Sequence, residues 1–89
     1  MMLSVVVTGR VQGVGFRHFV FRNAADLNIT GWVKNEPDGT VKAVFSGSQK
    51  DLRMMRDLCR KGPAFSRVIE LKETWSTSGE QFHHFEIRR

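Results

Sequence analysis

Two hydrophobic periods alternate along this chain, and their order restricts the fold more than any other feature of the sequence. Apolar residues recur at every second position in strand-like segments and at every third or fourth position in helix-like segments. The strand-like segments are residues 2–8, 31–36, 40–46 and 68–75. The helix-like segments are residues 16–27 and 49–61. The predicted order is therefore β-α-β-β-α-β, with a short fifth strand in which Phe85 and Ile87 share a face.

Residues that start and stop regular structure lie at most of the predicted boundaries. Asn28 can adopt the left-handed conformation that ends a helix. Residues 37–39 have the Pro-Asp-Gly composition of a tight turn, which makes a hairpin of the two flanking strands. Ser48 is a good N-cap for the second helix, and the Gly-Pro at residues 62–63 ends it. A polar turn over residues 76–80 is expected before the last strand.

The length and composition of the chain suit one packed domain. It has 89 residues, of which 40% are hydrophobic, and it contains seven Phe and two Trp. Such a chain is long enough for one core and too short for several domains. We therefore predict a single domain over residues 1–89, in the α+β class. Two helices on one face of an antiparallel sheet would give a ferredoxin-like α/β sandwich.

The cysteine, histidine and charge content excludes several kinds of protein. Cys59 is the only cysteine, so an internal disulfide cannot form, and with three scattered histidines no metal site is expected. The apolar residues 1–7 are too short to span a membrane and lack the basic start of a signal peptide, so we expect a cytoplasmic protein. The net charge of +5 suits either an anionic partner or simply a soluble surface.

The segment between the first strand and the first helix, residues 9–17 with sequence GRVQGVGFR, has the features of an anion-binding loop. Its glycines allow successive backbone N–H groups to point into one concavity, and the following helix adds the positive end of its dipole. Arg17, at the start of the helix, can add a bidentate guanidinium. The segment lacks the Lys-Ser/Thr of a P-loop, and His18 stands where a dinucleotide fingerprint has glycine. An ordinary strand-to-helix turn that needs two glycines is the alternative.

Two segments of the chain resemble the signatures of the acylphosphatase family. The first is residues 9–17, and the second is residues 31–39, with sequence GWVKNEPDG. Weaker agreement comes from residues 62–63 and from residues 85–88, so the resemblance extends over residues 4–88. It implies the ferredoxin-like fold and an enzyme that hydrolyses the carboxyl-phosphate bond of acyl phosphates to a carboxylate and inorganic phosphate.

The resemblance also implies the residues of an active site. Arg17 corresponds to the family's phosphate-binding arginine, and Asn35 to the asparagine that positions the attacking water. The amides that would hold the phosphoryl oxygens are those of Gly13, Val14, Gly15, Phe16 and Arg17. Glu36 follows Asn35, where an acidic residue is less usual, and on a strand its side chain should point to the opposite face. No metal or organic cofactor is implied, and inorganic phosphate is expected as product and competitive inhibitor.

An RNA-binding or phosphate-binding module on the same fold is the main alternative function. Residues 15–21 superficially resemble an aromatic RNA-binding motif, but such aromatic residues belong on a central strand. Their helical spacing predicts that they belong to the core. A carrier-type acylphosphatase-like domain is a further alternative, and the lack of an attached domain favours the stand-alone enzyme. We expect a monomer that takes a small acyl phosphate and binds neither nucleic acid nor membrane.

The other candidate side chains have simpler interpretations. His83 and His84 are adjacent on a strand, so they should face opposite sides and cannot readily chelate one metal ion. His18 directly follows Arg17 on the helix, so its side chain should point in a different direction. The implied chemistry also needs no general base, so no catalytic role is expected for His18. Cys59 is expected to be a small buried residue of the second helix.

Overall fold

Five strands form one sheet in the computed structural model, which describes residues 1–77 and 81–89. The strands are β1 (Met2–Arg10), β2 (Thr30–Asn35), β3 (Val41–Ser46), β4 (Arg67–Ser76) and β5 (Phe85–Arg88). Their order across the sheet is β4-β1-β3-β2-β5. Helix α1 (Phe16–Asp26) connects β1 to β2, and helix α2 (Gln49–Lys61) connects β3 to β4. The predicted β-α-β-β-α-β order with a short fifth strand is confirmed.

The sheet is mixed, which differs from the antiparallel sheet that the sequence predicts. Strands β4, β1, β3 and β2 pair antiparallel, whereas β5 pairs parallel to β2, with Gly31 beside Phe85 and Val33 beside Ile87. Strands β1 and β2 run in one direction, and β4 runs in the other. Because the chain reverses direction between β4 and β5, β5 runs in the same sense as β2 when it joins that strand. The ferredoxin-like arrangement itself is confirmed.

The alternating residues of the strands put one apolar face of the sheet against both helices. The sheet contributes Leu3, Val5, Val7, Val33, Val41, Ala43 and Phe45 to the core. The helices contribute Phe16, Val20, Ala24, Leu52, Met55 and Cys59. These positions follow from the two hydrophobic periods, so a single apolar cluster holds the sheet and both helices together.

The residues at helix boundaries behave as the sequence predicts. Asn28 has a φ of 56°, the left-handed conformation expected after α1. Ser48 caps α2, because its Oγ atom accepts a hydrogen bond from the Asp51 backbone N–H at 3.2 Å. Gly62 follows the last residue of α2 with a φ of 70°. The residues that end α1 and that mark the two ends of α2 therefore act through their own backbone conformation or side chain.

Strand β1 ends two residues later than predicted, inside the segment expected to be a loop. Arg10 pairs with Arg67 of β4, after a β-bulge between Thr8 and Gly9. This extension depends on pairing with a distant strand, which a local pattern does not show. The polar turn predicted over residues 76–80 lies outside the described residues at positions 78–80.

Gly31 occupies a place in β2 where no side chain fits. Its φ is 139°, and a Cβ atom there would collide with the Val44 carbonyl oxygen of β3. We expect Gly31→Ala to lower the free energy of unfolding by at least about 2 kcal/mol, because backbone strain and a steric clash combine. Urea denaturation followed by circular dichroism measures the loss.

Gly47→Ala is the matched control for this substitution. A Cβ atom at position 47 would make only ordinary contacts with the side chains of Ile29 and Leu52. The free energy of unfolding of this variant should stay within about 1 kcal/mol of the wild type. Equal losses in the Gly31 and Gly47 variants would contradict the role given to the close approach of β2 and β3.

Candidate functional site

A small open pocket lies where the loop after β1 meets the end of β2. It is lined by Val11, Gly13, Gly15, Phe16, Arg17, His18 and Asn35. Its volume is about 120 Å³, whereas a water molecule takes about 30 Å³ in the liquid. The pocket lies below the range of about 300–1,000 Å³ that is usual for sites of drug-sized ligands, so it suits a small group such as a phosphoryl group.

The directions of the strands bring the two halves of this pocket together. Strands β1 and β2 both pair antiparallel to β3, so they run in the same direction and end at the same edge of the sheet. Val7, Val41 and Asn35 occupy one row across these three strands. Asn35 lies two residues after the buried Val33, so its side chain points to the face of the sheet that the helices cover. On that face it lines the pocket beside the first residues of α1.

The loop before α1 leaves backbone N–H groups available to the pocket. Gly13 and Gly15 have φ values of 72° and 79°, in the left-handed region. Left-handed residues next to helical ones form concave arrangements of amides that bind anions. Gly15 is the N-cap of α1, and no side chain among the described residues caps this helix or adds an acidic group to its first turn. The first N–H groups of α1 and its dipole are thus free to act on an anion.

Arg17 and Asn35 both contribute polar side chains to the pocket. In the described part of the chain, the partly exposed Arg17 guanidinium forms neither an ion pair nor a hydrogen bond. The Asn35 side-chain amide likewise has no hydrogen bond to any described residue. A guanidinium binds phosphoryl oxygens through charged hydrogen bonds, and an amide can both donate and accept. The pocket therefore offers a cation and a neutral amide to one small ligand.

Gln12 lies next to this site without lining the pocket, and sequence reasoning missed its contacts. Its Nε2 atom donates one hydrogen bond to the Glu36 carbonyl oxygen at 2.8 Å and another to the Thr40 carbonyl oxygen at 2.9 Å. Both acceptors flank the turn that follows Asn35. Only the pairing of β1, β3 and β2 brings this turn beside the loop, so no local signal could have shown the contact.

The other residues near the motif divide between the pocket and the core. Val14 is not among the lining residues, and its side chain is partly buried against the core. His18 is exposed and lines the pocket together with Arg17. Its position directly after Arg17 on the helix did not suggest this placement. Glu36, the acidic residue beside Asn35, is not among the lining residues.

The aromatic residues at the start of α1 belong mainly to the core, as their spacing predicts. Phe16 is buried, and Phe19 is partly buried against the same cluster. Phe21 is partly exposed and packs edge-on against Phe85, with ring centroids 6.3 Å apart. The three rings of α1 lie on a helix and not on a strand, so residues 15–21 do not form an aromatic RNA-binding strand.

The histidines near the C-terminus are not part of the pocket lining. His83 and His84 are both exposed, and the Nε2 atom of His84 lies 4.0 Å from a carboxylate oxygen of Glu86. Among the described residues, no group of three or more His, Cys, Asp or Glu side chains could hold a metal ion. Over residues 1–77 and 81–89, no helix has the length and apolar character needed to cross a membrane.

The fold and the pocket define a ferredoxin-like α+β domain with a glycine-containing loop and a small polar pocket at one edge of its sheet. The family model for acylphosphatase matches residues 3–87. Over 84 residues the chain is 46% identical to an acylphosphatase of Actinobacillus pleuropneumoniae serotype 5b (strain L20), which covers 94% of this chain and 93% of that protein. The crystal structure of acylphosphatase from Bacillus subtilis superposes with a TM-score of 0.96 at 39% identity, covering 99% of this chain and 98% of the other. Full-length HypF in its phosphate- and nucleotide-bound form matches with a TM-score of 0.90 at 28% identity, over 99% of this chain and 12% of that chain.

The chain belongs to the acylphosphatase family. The family match covers nearly the whole chain, so the assignment made from the two signatures is confirmed. The class of enzyme that the sequence predicts, a hydrolase acting on acid anhydrides, is confirmed with it.

Cys59 is buried in the core on α2, as the sequence predicts, and burial raises the pKa of its thiol to about 12. Because the thiolate is the reactive form, we expect no labelling of the folded protein by a thiol-specific disulfide reagent at pH 8. After unfolding in guanidinium chloride, one thiol should react. The absorbance of the released thiolate measures both states. Rapid labelling of the folded protein would contradict the burial of this side chain.

Proposed function

We propose that this protein hydrolyses acyl phosphates to a carboxylate and inorganic phosphate. The observation that carries the proposal is the combination found in one phosphoryl-sized pocket. The unpaired guanidinium of Arg17 and the free amides at the start of α1 suit a phosphoryl group, and the Asn35 amide lies in the same pocket. Membership of the acylphosphatase family supports the same reaction.

The first step of the proposed reaction is capture of the phosphoryl group. The oxygens of a phosphoryl dianion accept hydrogen bonds from the loop amides of residues 13–17 and from the Arg17 guanidinium. Peptide dipoles that the fold already holds in place need no reorganisation as charge develops on the phosphoryl oxygens. In phosphoryl transfer, positioning and electrostatic stabilisation provide most of the catalysis. The glycine loop and Arg17 supply both.

Cleavage of the bond between phosphorus and the acyl oxygen requires few further catalytic groups. Water attacks phosphorus, the bond from phosphorus to the acyl oxygen breaks, and the carboxylate departs with the bonding electrons. The water molecule loses a proton to solvent, and inorganic phosphate is formed. A carboxylic acid has a pKa of about 4, so the leaving group departs without protonation and no general acid is needed.

Asn35 is the residue proposed to orient the attacking water. Its amide lies in the pocket and has no hydrogen bond to a described residue, so it can hold a water molecule by donating or accepting. Holding two reactants in a near-attack arrangement converts a bimolecular step into an effectively unimolecular one. Asn35 therefore acts on the water, and Arg17 acts on the phosphoryl group.

The size of the pocket limits what the enzyme recognises. The pocket is small, at about 120 Å³, and it is open to solvent. We therefore propose that the acyl group extends outward and is selected weakly. Benzoyl phosphate is a suitable test substrate for this reason.

The first test of the proposed function is hydrolysis of benzoyl phosphate by the wild type and by Arg17→Ala and Asn35→Ala. We expect each substitution to lower kcat/KM about 10²- to 10³-fold, the usual cost of losing one group that stabilises or positions a transition state. A continuous ultraviolet assay of benzoyl phosphate measures the rates. Melting temperatures of all variants show whether the fold is retained.

Arg22→Ala and Asn23→Ala are matched controls for these two variants. Arg22 is exposed on α1, and the Asn23 side chain donates a hydrogen bond to the Phe19 carbonyl oxygen of its own helix at 2.8 Å. Both controls should keep near wild-type rates. Full activity of Arg17→Ala and Asn35→Ala would refute the assigned residues, and no turnover by folded wild type would refute the reaction. RNA binding would then be tested with a single-stranded oligonucleotide.

Inorganic phosphate separates the roles of the two residues. We expect competitive inhibition by phosphate that weakens at least about tenfold in Arg17→Ala, because a charged hydrogen bond to phosphate is lost. Inhibition of the residual activity of Asn35→Ala should match that of the wild type, because Asn35 acts on the water. Activity should also survive a metal chelator. Loss of activity in the chelator would contradict a reaction that needs no metal ion. Equal weakening of phosphate inhibition in both variants would contradict this division of roles.

A further inference from the structure

Gln12 connects the phosphate-binding loop to the turn that follows Asn35. The two N–H groups of its side-chain amide point to the carbonyl oxygens of Glu36 and Thr40, at 2.8 Å and 2.9 Å. Because both partners are acceptors, the NH₂ end of the amide must face them, and the orientation of the side chain is unambiguous. Both donors of the amide are thereby used on one turn.

The turn itself is well ordered by its own hydrogen bonds. The Glu36 N–H donates to the Thr40 carbonyl oxygen at 2.9 Å, and the Gly39 N–H donates to the Glu36 carbonyl oxygen at 3.1 Å. Asp38 accepts hydrogen bonds from the backbone N–H and the hydroxyl of Thr40. Gln12 therefore attaches the loop to a hairpin end that is closed by its own hydrogen bonds.

Gln12 supplies the hydrogen bonds between these two segments. The pairing of β1 with β3 ends at Val7 and Val41, before the loop begins. Among the described residues, no other hydrogen bond joins residues 11–15 to residues 36–40. Beyond the last paired row, the side chain of Gln12 supplies the hydrogen bonds between the loop and the hairpin.

We propose that Gln12 is a positioning residue that sets Asn35 at the correct distance and angle from the phosphate-binding loop. Glu36 is covalently joined to Asn35, so holding its carbonyl group holds the end of β2 against the loop. In-line attack requires the water on Asn35 to meet a phosphoryl group on the loop in a narrow geometry. This inference rests on the proposed function, since it concerns the same reaction.

The test compares Gln12→Met and Gln12→Glu with the wild type. Methionine keeps the length of the side chain and removes both donors, and glutamate places a carboxylate against two carbonyl oxygens. A displacement of about 1 Å in a reacting geometry can cost about 10²-fold in rate, so we expect kcat for benzoyl phosphate to fall about 10- to 100-fold. The inhibition constant for inorganic phosphate should change less than about threefold, because the loop and Arg17 bind phosphate by themselves.

The double variant Gln12→Met/Asn35→Ala gives a readout that a purely structural role would not produce. If Gln12 acts through Asn35, removing Gln12 costs almost nothing once Asn35 is absent, and the double variant should be no more than about twofold slower than Asn35→Ala. Gln49→Met and Gln49→Glu serve as matched controls, because Gln49 is exposed at the first position of α2. Both controls should retain wild-type rates.

Three outcomes would overturn the inference. The first is an unchanged kcat in folded Gln12→Met and Gln12→Glu while Asn35→Ala has lost activity. The second is a double variant slower by the product of the two single effects, which would separate Gln12 from Asn35. The third is a parallel loss of phosphate inhibition, which would make Gln12 a support of the loop itself. A folded wild type that does not hydrolyse benzoyl phosphate would refute the proposed function, and this inference would fall with it.

Discussion

The common direction of β1 and β2 on either side of β3 is the constraint on which the site depends. Because both strands are antiparallel to β3, their C-terminal ends lie at one edge of the sheet. The register places Val7 and Asn35 in the same row, on the face that the helices cover. A slip of one residue would turn Asn35 to the open face and remove it from the pocket. The core side chains that maintain this register therefore also maintain the site.

The proposed recognition of a phosphoryl group relies on the backbone as well as on a side chain. Left-handed Gly13 and Gly15 shape the loop, the start of α1 has free N–H groups, and Arg17 adds a full positive charge. Peptide dipoles remain in place at every pH and need no counterion. Hydrolysis of an activated phosphate with a good leaving group requires little beyond positioning and electrostatic stabilisation. A domain of 89 residues can therefore support the proposed reaction with few functional side chains.

Much of the fold and of the candidate site could be predicted because the signals are local. Asn28, Ser48 and Gly62 mark helix boundaries through their own backbone conformations or side chains. Arg17 and Asn35 stand inside motifs that are readable without a structure, and both line one pocket. The parallel direction of β5 and the added length of β1 could not be predicted in this way. Both depend on pairing between strands that are far apart in the chain.

The sequence by itself determined most of the elements, the residues that face the core and the position of the loop for which anion binding is proposed. Each of these follows from side-chain chemistry and spacing within a few positions. Tertiary structure decided which segments meet. Gln12 reaches the carbonyl groups of Glu36 and Thr40 because three strands pair in one register. Val14 packs on the core and His18 lines the pocket because of the way the loop, with its left-handed glycines, leads into α1. Such contacts arise from long-range pairing and packing, which no short stretch of sequence contains.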